Sequence, residues 1–185
     1  MNKAVFLDRD GTINREVDVL RDVRQLRVLP GAADAIKKIN KLGFLAVVIT
    51  NQPVVARGWR TEKELDEIHA VLIKRLARKN ARLDAIYYCP HHPEANLKKY
   101  RLRCRCRKPN IGMITKAVKK FKINIKKSFI IGDSTRDVLT GKRAGLKTIL
   151  VKTGYAGRDG KYNVKPRFIA KNLKEAVEII RKNAK

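Results

Sequence analysis

Asp8 and Asp10 stand one residue apart, directly after the apolar run Ala4–Leu7 and just before Gly11. Paired carboxylates of this kind supply two things that phosphate-ester hydrolysis needs at neutral pH, a nucleophile and a proton donor for the leaving alkoxide. Asp8 is the better nucleophile candidate, because it emerges first from the apolar run and is fixed by it. Asp10 can give a proton to the leaving oxygen and later take one from water. The competing reading makes both of them ordinary loop acids that help a turn or a helix cap. Hydrolysis would also call for a divalent cation, since a dianionic phosphate otherwise repels two carboxylates. Magnesium, which prefers hard oxygen ligands, suits that task. Two further apolar runs end in the same manner: Phe44–Ile49 runs into Thr50-Asn51-Gln52, and Ser128–Ile131 into Gly132-Asp133. Lys108, followed by Pro109, lies between them. Asp137, one helical turn beyond Asp133, is placed to orient Lys108 or metal-bound water.

A second constellation uses every cysteine in the chain: Cys89-x-His91, then twelve residues, then Cys104-x-Cys106. Three thiolates and one imidazole make a closed tetrahedral set, the usual form of a structural zinc site. His92 competes with His91 for the fourth position, and His91 is preferred because it repeats the spacing of the other arm. Three cysteines make a poor disulfide framework.

Elements must bring these groups together. Short unbroken apolar runs suit strands buried on both faces of a parallel sheet. Helical spacing is seen over Ala32–Leu42, after Thr61-x-x-Glu64 (Leu65, Ile68, Leu72, Ile73, Leu76), from an Asn110 cap to Phe121, and over Thr135–Ala144. A final helix is expected from Asn172-x-x-Glu175. Strands are expected at Ala85–Tyr88, Lys147–Val151 and Arg167–Ala170. This alternation predicts one α/β domain over residues 1–185, with a doubly wound parallel sheet and its ligand crevice at the carboxyl ends of the strands. Residues 11–29 read as a small flap over that crevice, and 153–166 as a mobile loop. His69, beside the apolar face of its helix, reads as a packed histidine and not a ligand.

In order along the chain, Asp8-x-Asp10-Gly-Thr, Thr50-Asn51, Lys108-Pro109 and Gly132-Asp133 with Asp137 resemble the four motifs of the haloacid dehalogenase superfamily of phosphohydrolases. Cys-Pro-His-His-Pro with a long insert before Cys-x-Cys-Arg-Lys-Pro is similar to the heptose 1,7-bisphosphate 7-phosphatase branch. The histidinol-phosphate phosphatases carry a related zinc loop, usually with a shorter insert. The resemblance implies a Rossmann-like fold with a small zinc loop at 89–107 and no large cap domain. It implies catalytic magnesium held by Asp8, the Asp10 carbonyl and Asp133, and structural zinc on Cys89, His91, Cys104 and Cys106. Thr50, Asn51 and Gln52 with Lys108 would bind the phosphate, and Arg107 the distal phosphate of a phosphorylated sugar. Two residues depart from the branch: Pro53 replaces a small hydroxyl residue, and Ser134 replaces a lysine beside the metal-binding aspartate.

The net charge is +27, with 17 basic against 11 acidic residues before position 93 and 27 against 6 after it. Such a field attracts phosphates and nucleic acid without naming which. No aromatic-interleaved motif accompanies it, so nucleic-acid binding is not favoured over a solvated basic surface. No apolar run approaches the length of a membrane span. A cytoplasmic monomer is expected, with no membrane partner. The leading reading is removal of the 7-phosphate from heptose 1,7-bisphosphate. Histidinol-phosphate phosphatase, nucleic-acid 3′-phosphatase and a basic binding protein without activity are its rivals.

Overall fold

The computed structural model describes residues 1–184. Six parallel strands form one sheet: β1 (Lys3–Leu7), β2 (Phe44–Asn51), β3 (Ala85–Cys89), β4 (Phe129–Gly132), β5 (Lys147–Val151) and β6 (Phe168–Ala170). Their order is β3-β2-β1-β4-β5-β6. The chain therefore leaves β1 in one direction and returns to its other side at β4. A ligand crevice opens at such a reversal, beyond the carboxyl ends of the strands.

The helices are α1 (Ala32–Lys41), α2 (Pro53–Ala56), α3 (Glu62–Ala77), α4 (Gly112–Phe121), α5 (Thr135–Ala144) and α6 (Leu173–Asn183). Alternate residues of each strand face opposite sides of the sheet. Val5, Leu7, Val48 and Ile131 meet Ile36, Leu72 and Val177 of α1, α3 and α6. Ala4, Phe6, Val47 and Ile130 meet Met113, Ile114 and Ala117 of α4 on the other side. Both faces are covered, which is why the strands read as continuous apolar runs.

Several local expectations are corrected. Ile73 is 44% exposed, because Leu65, Ile68, Leu72 and Leu76 already complete the inward stripe and Ile73 lies a hundred degrees past it. Asn110 does not cap α4; its amide donates to the Cys104 carbonyl (2.8 Å), and Ile111 takes the cap position without a side-chain bond. Pro53 opens the four-residue α2, too short to leave a period in the sequence. The mobile loop expected at 153–166 is tied to the crevice at several points. Thr153 donates to the Gly11 carbonyl (2.6 Å), Gly157 N to the Asp133 carbonyl (2.7 Å), and Asp159 accepts from Thr135. Among the described residues, no helix is long and apolar enough to cross a membrane.

Candidate active site

β1 and β4 deliver Asp8 and Asp133 to the crevice, and α5 adds Asp137. Carboxylate oxygens of these three lie within 4.8 Å of one another. Lys108 is buried between them, its Nζ 3.0 Å from Asp8 Oδ1 and 2.6 Å from Asp137 Oδ1. Burial works against its charge, but Asp137 and Asp8 outweigh that and lift its pKa above the ordinary lysine range. Asp137 is held in turn by a capping box at the start of α5, where its Oδ2 accepts from Ser134 N and Oγ. Asn51 closes the clamp: Lys108 N donates to Asn51 Oδ1 (3.0 Å), and Asn51 Nδ2 donates to the Lys108 carbonyl (3.1 Å).

The acidic side of the crevice is short of positive charge. Burial, then the charges of Asp8 and Asp137, push Asp133 up to about 8. Burial and Asp137 push Asp8 to about 6 against the pull of Lys108. Burial and Asp10 raise Glu16 to about 7, and its Oε1 is buried without a partner. Clustered hard oxygens that resist joint ionisation are a fitting donor set for a divalent cation. Two glycines make room for Asp133: a Cβ on Gly11 would lie 2.1 Å from Asp133 Oδ2, and one on Gly154 2.0 Å from it. Both have positive φ (+70° and +58°), a conformation that glycine adopts without penalty.

Asp10 has a different environment. Arg9, the residue between the two carboxylates, is fully buried. Its Nη2 lies 3.0 and 2.8 Å from Asp10 Oδ1 and Oδ2, and its Nε 3.2 Å from Oδ1. Asn14 Nδ2 and Gln52 Nε2 also donate to Asp10, at 2.8 and 2.9 Å. Burial opposes ionisation of Asp10, but the charge and hydrogen bonds of Arg9 outweigh it and hold the carboxyl below its usual range. Gln52, expected to bind phosphate, is turned inward between Arg9, Asp10 and Thr50 and is 2% exposed. Thr50, Asn51, Arg107 and Lys108 do line the crevice. Sequence reasoning missed Arg9, because a lone arginine in a polar motif gives no sign that it will be buried. His69 is packed as expected, yet its Nε2 lies 3.1 Å from Arg9 Nη1. Burial and the charge of Arg9 push the ring down to about 3, so it is neutral.

The crevice lining also carries cations. Arg57, Arg107, Arg136 and Lys161 line the crevice, and none of them forms an ion pair among the described residues. Burial and then Arg107, with Arg57 and Arg136 adding to it, depress the pKa of His92. Arg107 itself donates from Nη1 to the His91 carbonyl (3.0 Å), which leaves its other donors free.

The sulfur cluster adjoins Arg107. Cys89, Cys104 and Cys106 Sγ atoms lie 3.0–3.3 Å apart, with His91 Nδ1 3.5 and 3.7 Å from two of them. Three thiols and one imidazole converging on one point are a metal-binding donor set. His92 is turned towards the crevice, with its Nδ1 accepting from Glu94 N.

The reversed parallel sheet, with carboxylates after β1 and β4 and a buried lysine that joins the first of them to Asp137 of α5, defines a haloacid-dehalogenase-like phosphatase, a hydrolase of phosphomonoesters. Comparison agrees. A HAD-hydrolase-like family profile matches residues 105–176. A D-glycero-β-D-manno-heptose-1,7-bisphosphate 7-phosphatase of Pasteurella multocida is 41% identical over 155 residues, 83% of this chain and 84% of the relative. Its namesake from Escherichia coli K12 is 38% identical over 152 residues, 82% and 80% of the two chains. The crystal structure of a D,D-heptose 1,7-bisphosphate phosphatase from B. bronchiseptica, complexed with magnesium and phosphate, superposes with a TM-score of 0.85 at 30% identity, over 98% of this chain and 99% of the other. The chain belongs to this family of haloacid-dehalogenase-like phosphatases.

Proposed function

We propose that this single-domain phosphatase removes one phosphate from a sugar bisphosphate, the 7-phosphate of D-glycero-D-manno-heptose 1,7-bisphosphate. The charge lining the crevice carries the reading: clustered acids with a buried lysine, and beside them four cations that form no ion pair among the described residues. A substrate with two phosphates suits both groups, one phosphate at the reacting end and one on the cations.

Asp8 is the nucleophile. Its carboxylate oxygen forms a bond to phosphorus as the ester bond breaks, giving an aspartyl-phosphate and a free alcohol. Asp10 supplies the proton for the leaving oxygen; the incoming dianion raises the pKa of this carboxyl by repulsion and so favours its protonated form. Asp10 then takes a proton from the water that attacks the acyl phosphate, and Asp8 is freed with release of inorganic phosphate. Lys108, Thr50 and Asn51 hold the equatorial oxygens of the phosphoryl group. Asp8, the Asp10 carbonyl and Asp133 are the residues that would hold magnesium. When bound, the cation neutralises charge between the acids and the phosphoryl oxygens. Cys89, His91, Cys104 and Cys106 would hold zinc, which fixes the loop that carries Arg107 and Lys108.

A panel of phosphorylated substrates tests the reading. It comprises the heptose bisphosphate, its 7-monophosphate, histidinol phosphate and a 3′-phosphorylated oligonucleotide. The bisphosphate should lead in kcat/KM by about tenfold or more, the order of one charge-assisted contact. A lead for histidinol phosphate or for the oligonucleotide would overturn it.

A further inference from the structure

Asp10 is not positioned by its own strand end alone. Its carboxylate takes donors from three residues, and Arg9 supplies three of the five contacts from a place no solvent reaches. The guanidinium is gripped in turn. Its Nη2 donates to Gln52 Oε1 (2.9 Å), and its Nη1 meets His69 Nε2 (3.1 Å). An arginine can only donate, so His69 Nε2 must accept, and the ring proton sits on Nδ1. His69 comes from the middle of α3, 60 positions away in sequence, and its ring lies 5.4 Å from that of Tyr88 on β3. A chain of contacts therefore runs from α3 through a buried guanidinium to the Asp10 carboxylate in the crevice.

We propose that Arg9, seated by His69, is a positioning residue that holds the Asp10 carboxylate where it serves the leaving oxygen. The proposal rests on the reading of Asp10 as proton donor given above. A planar fork that contacts both carboxylate oxygens fixes rotation about the terminal torsion of the aspartate, which a single point charge does not. Without that grip the carboxylate swings within its site, and the alignment that proton transfer needs is lost even though Asp8 can still attack.

Leaving-group dependence separates this role from a structural one. A sugar phosphate expels a strongly basic alkoxide and needs the proton, whereas para-nitrophenyl phosphate expels a stabilised phenolate and does not. Arg9→Met, His69→Leu and His69→Gln would be compared with the parent and with Asp10→Asn as reference. General acid catalysis is worth about 10²–10⁴-fold. Arg9→Met should lower kcat for the sugar phosphate by about a hundredfold, with KM and para-nitrophenyl phosphate turnover each changed less than about fivefold. His69→Leu should act in the same direction by about three- to tenfold, and His69→Gln, which offers an acceptor, should restore most of the loss. If Arg9→Met fails to fold, the His69 pair carries the test. Equal losses on both substrates, no loss on either, or no recovery in His69→Gln would overturn the proposal. If Asp10→Asn itself shows no leaving-group selectivity, the proton-donor reading fails. If Asp10→Asn is selective and the Arg9 and His69 variants are not, the proposal alone fails.

Discussion

Asn51 and Lys108 clasp each other through two hydrogen bonds, the Asn51 amide standing in for a neighbouring strand against the Lys108 backbone. The lysine is thereby held at both ends, its backbone by Asn51 and its ammonium by Asp8 and Asp137. Asn51→Ala removes two bonds of about 1 kcal/mol each. Thermal unfolding should fall by about 4–8 °C, and kcat by about ten- to a hundredfold as Lys108 drifts. An Asn51→Ala enzyme with parental kcat would contradict the clasp.

Asp8→Asn should abolish turnover, because an amide neither attacks phosphorus nor holds a cation as well. It also removes one of three mutually repelling carboxylates. The magnesium-free variant should therefore melt no lower than the magnesium-free parent. Residual kcat within about tenfold of the parent, for this loss of the sole nucleophile, would sink the assignment.

Magnesium binding and proton release should be linked. Asp133 and Asp8 have pKa values raised in the fold, to about 8 and about 6, above the ordinary 3.8. Between 3.8 and those values the folded chain carries more protons than the unfolded one, so this contribution to stability is present at low pH and lost as pH rises through them. The magnesium-free protein should gain thermal stability from about pH 8.5 down to about pH 6, while the stabilisation from added magnesium shrinks over the same interval. Calorimetry in two buffers of different ionisation heat would detect the released protons. Magnesium affinity independent of pH across that interval would refute the linkage.

Metal analysis after dialysis should find about one zinc per chain. Structural zinc supplies on the order of 10 kcal/mol to its own fold, so Cys104→Ser should melt well below the parent. Because Arg107 N donates to Cys104 Sγ (3.3 Å) and Lys108 is the next residue, activity should fall as well. A zinc-free protein with parental melting and activity would count against this reading.

Much of the site was legible because buried parallel strands are contiguous apolar runs, and whatever follows them reaches the crevice. Asp8, Thr50, Asn51 and Asp133 were read on that ground. Lys108 and Arg107 needed the resemblance, since nothing local separates them from the other lysines and arginines of the 98–108 run. Arg9 was hidden for a physical reason: its burial is made tolerable by Asp10 beside it together with Gln52 and His69, which are 43 and 60 positions away in the sequence. Gln52 follows Thr50-Asn51 and so reads as a further ligand for phosphate, but a buried guanidinium holds its amide inward. The seat of Gly154 beneath Asp133 was equally silent, since a glycine-rich connection reads as slack unless the group it must pass is known.

The order of strands in the sheet also bears on how the chain is made. β1 leaves the ribosome first and finds β2 within some forty residues, but its other neighbour, β4, begins only at Phe129. At about 5–20 residues per second, a central apolar strand keeps one edge open for roughly 6–24 s of synthesis. Open edges recruit other chains. The stretch that waits longest for its second partner in a nascent chain is therefore Lys3–Leu7, the strand that leads to Asp8. No nascent chain can bring Asp8, Lys108 and Asp133 together until the residues through Asp133 have been translated.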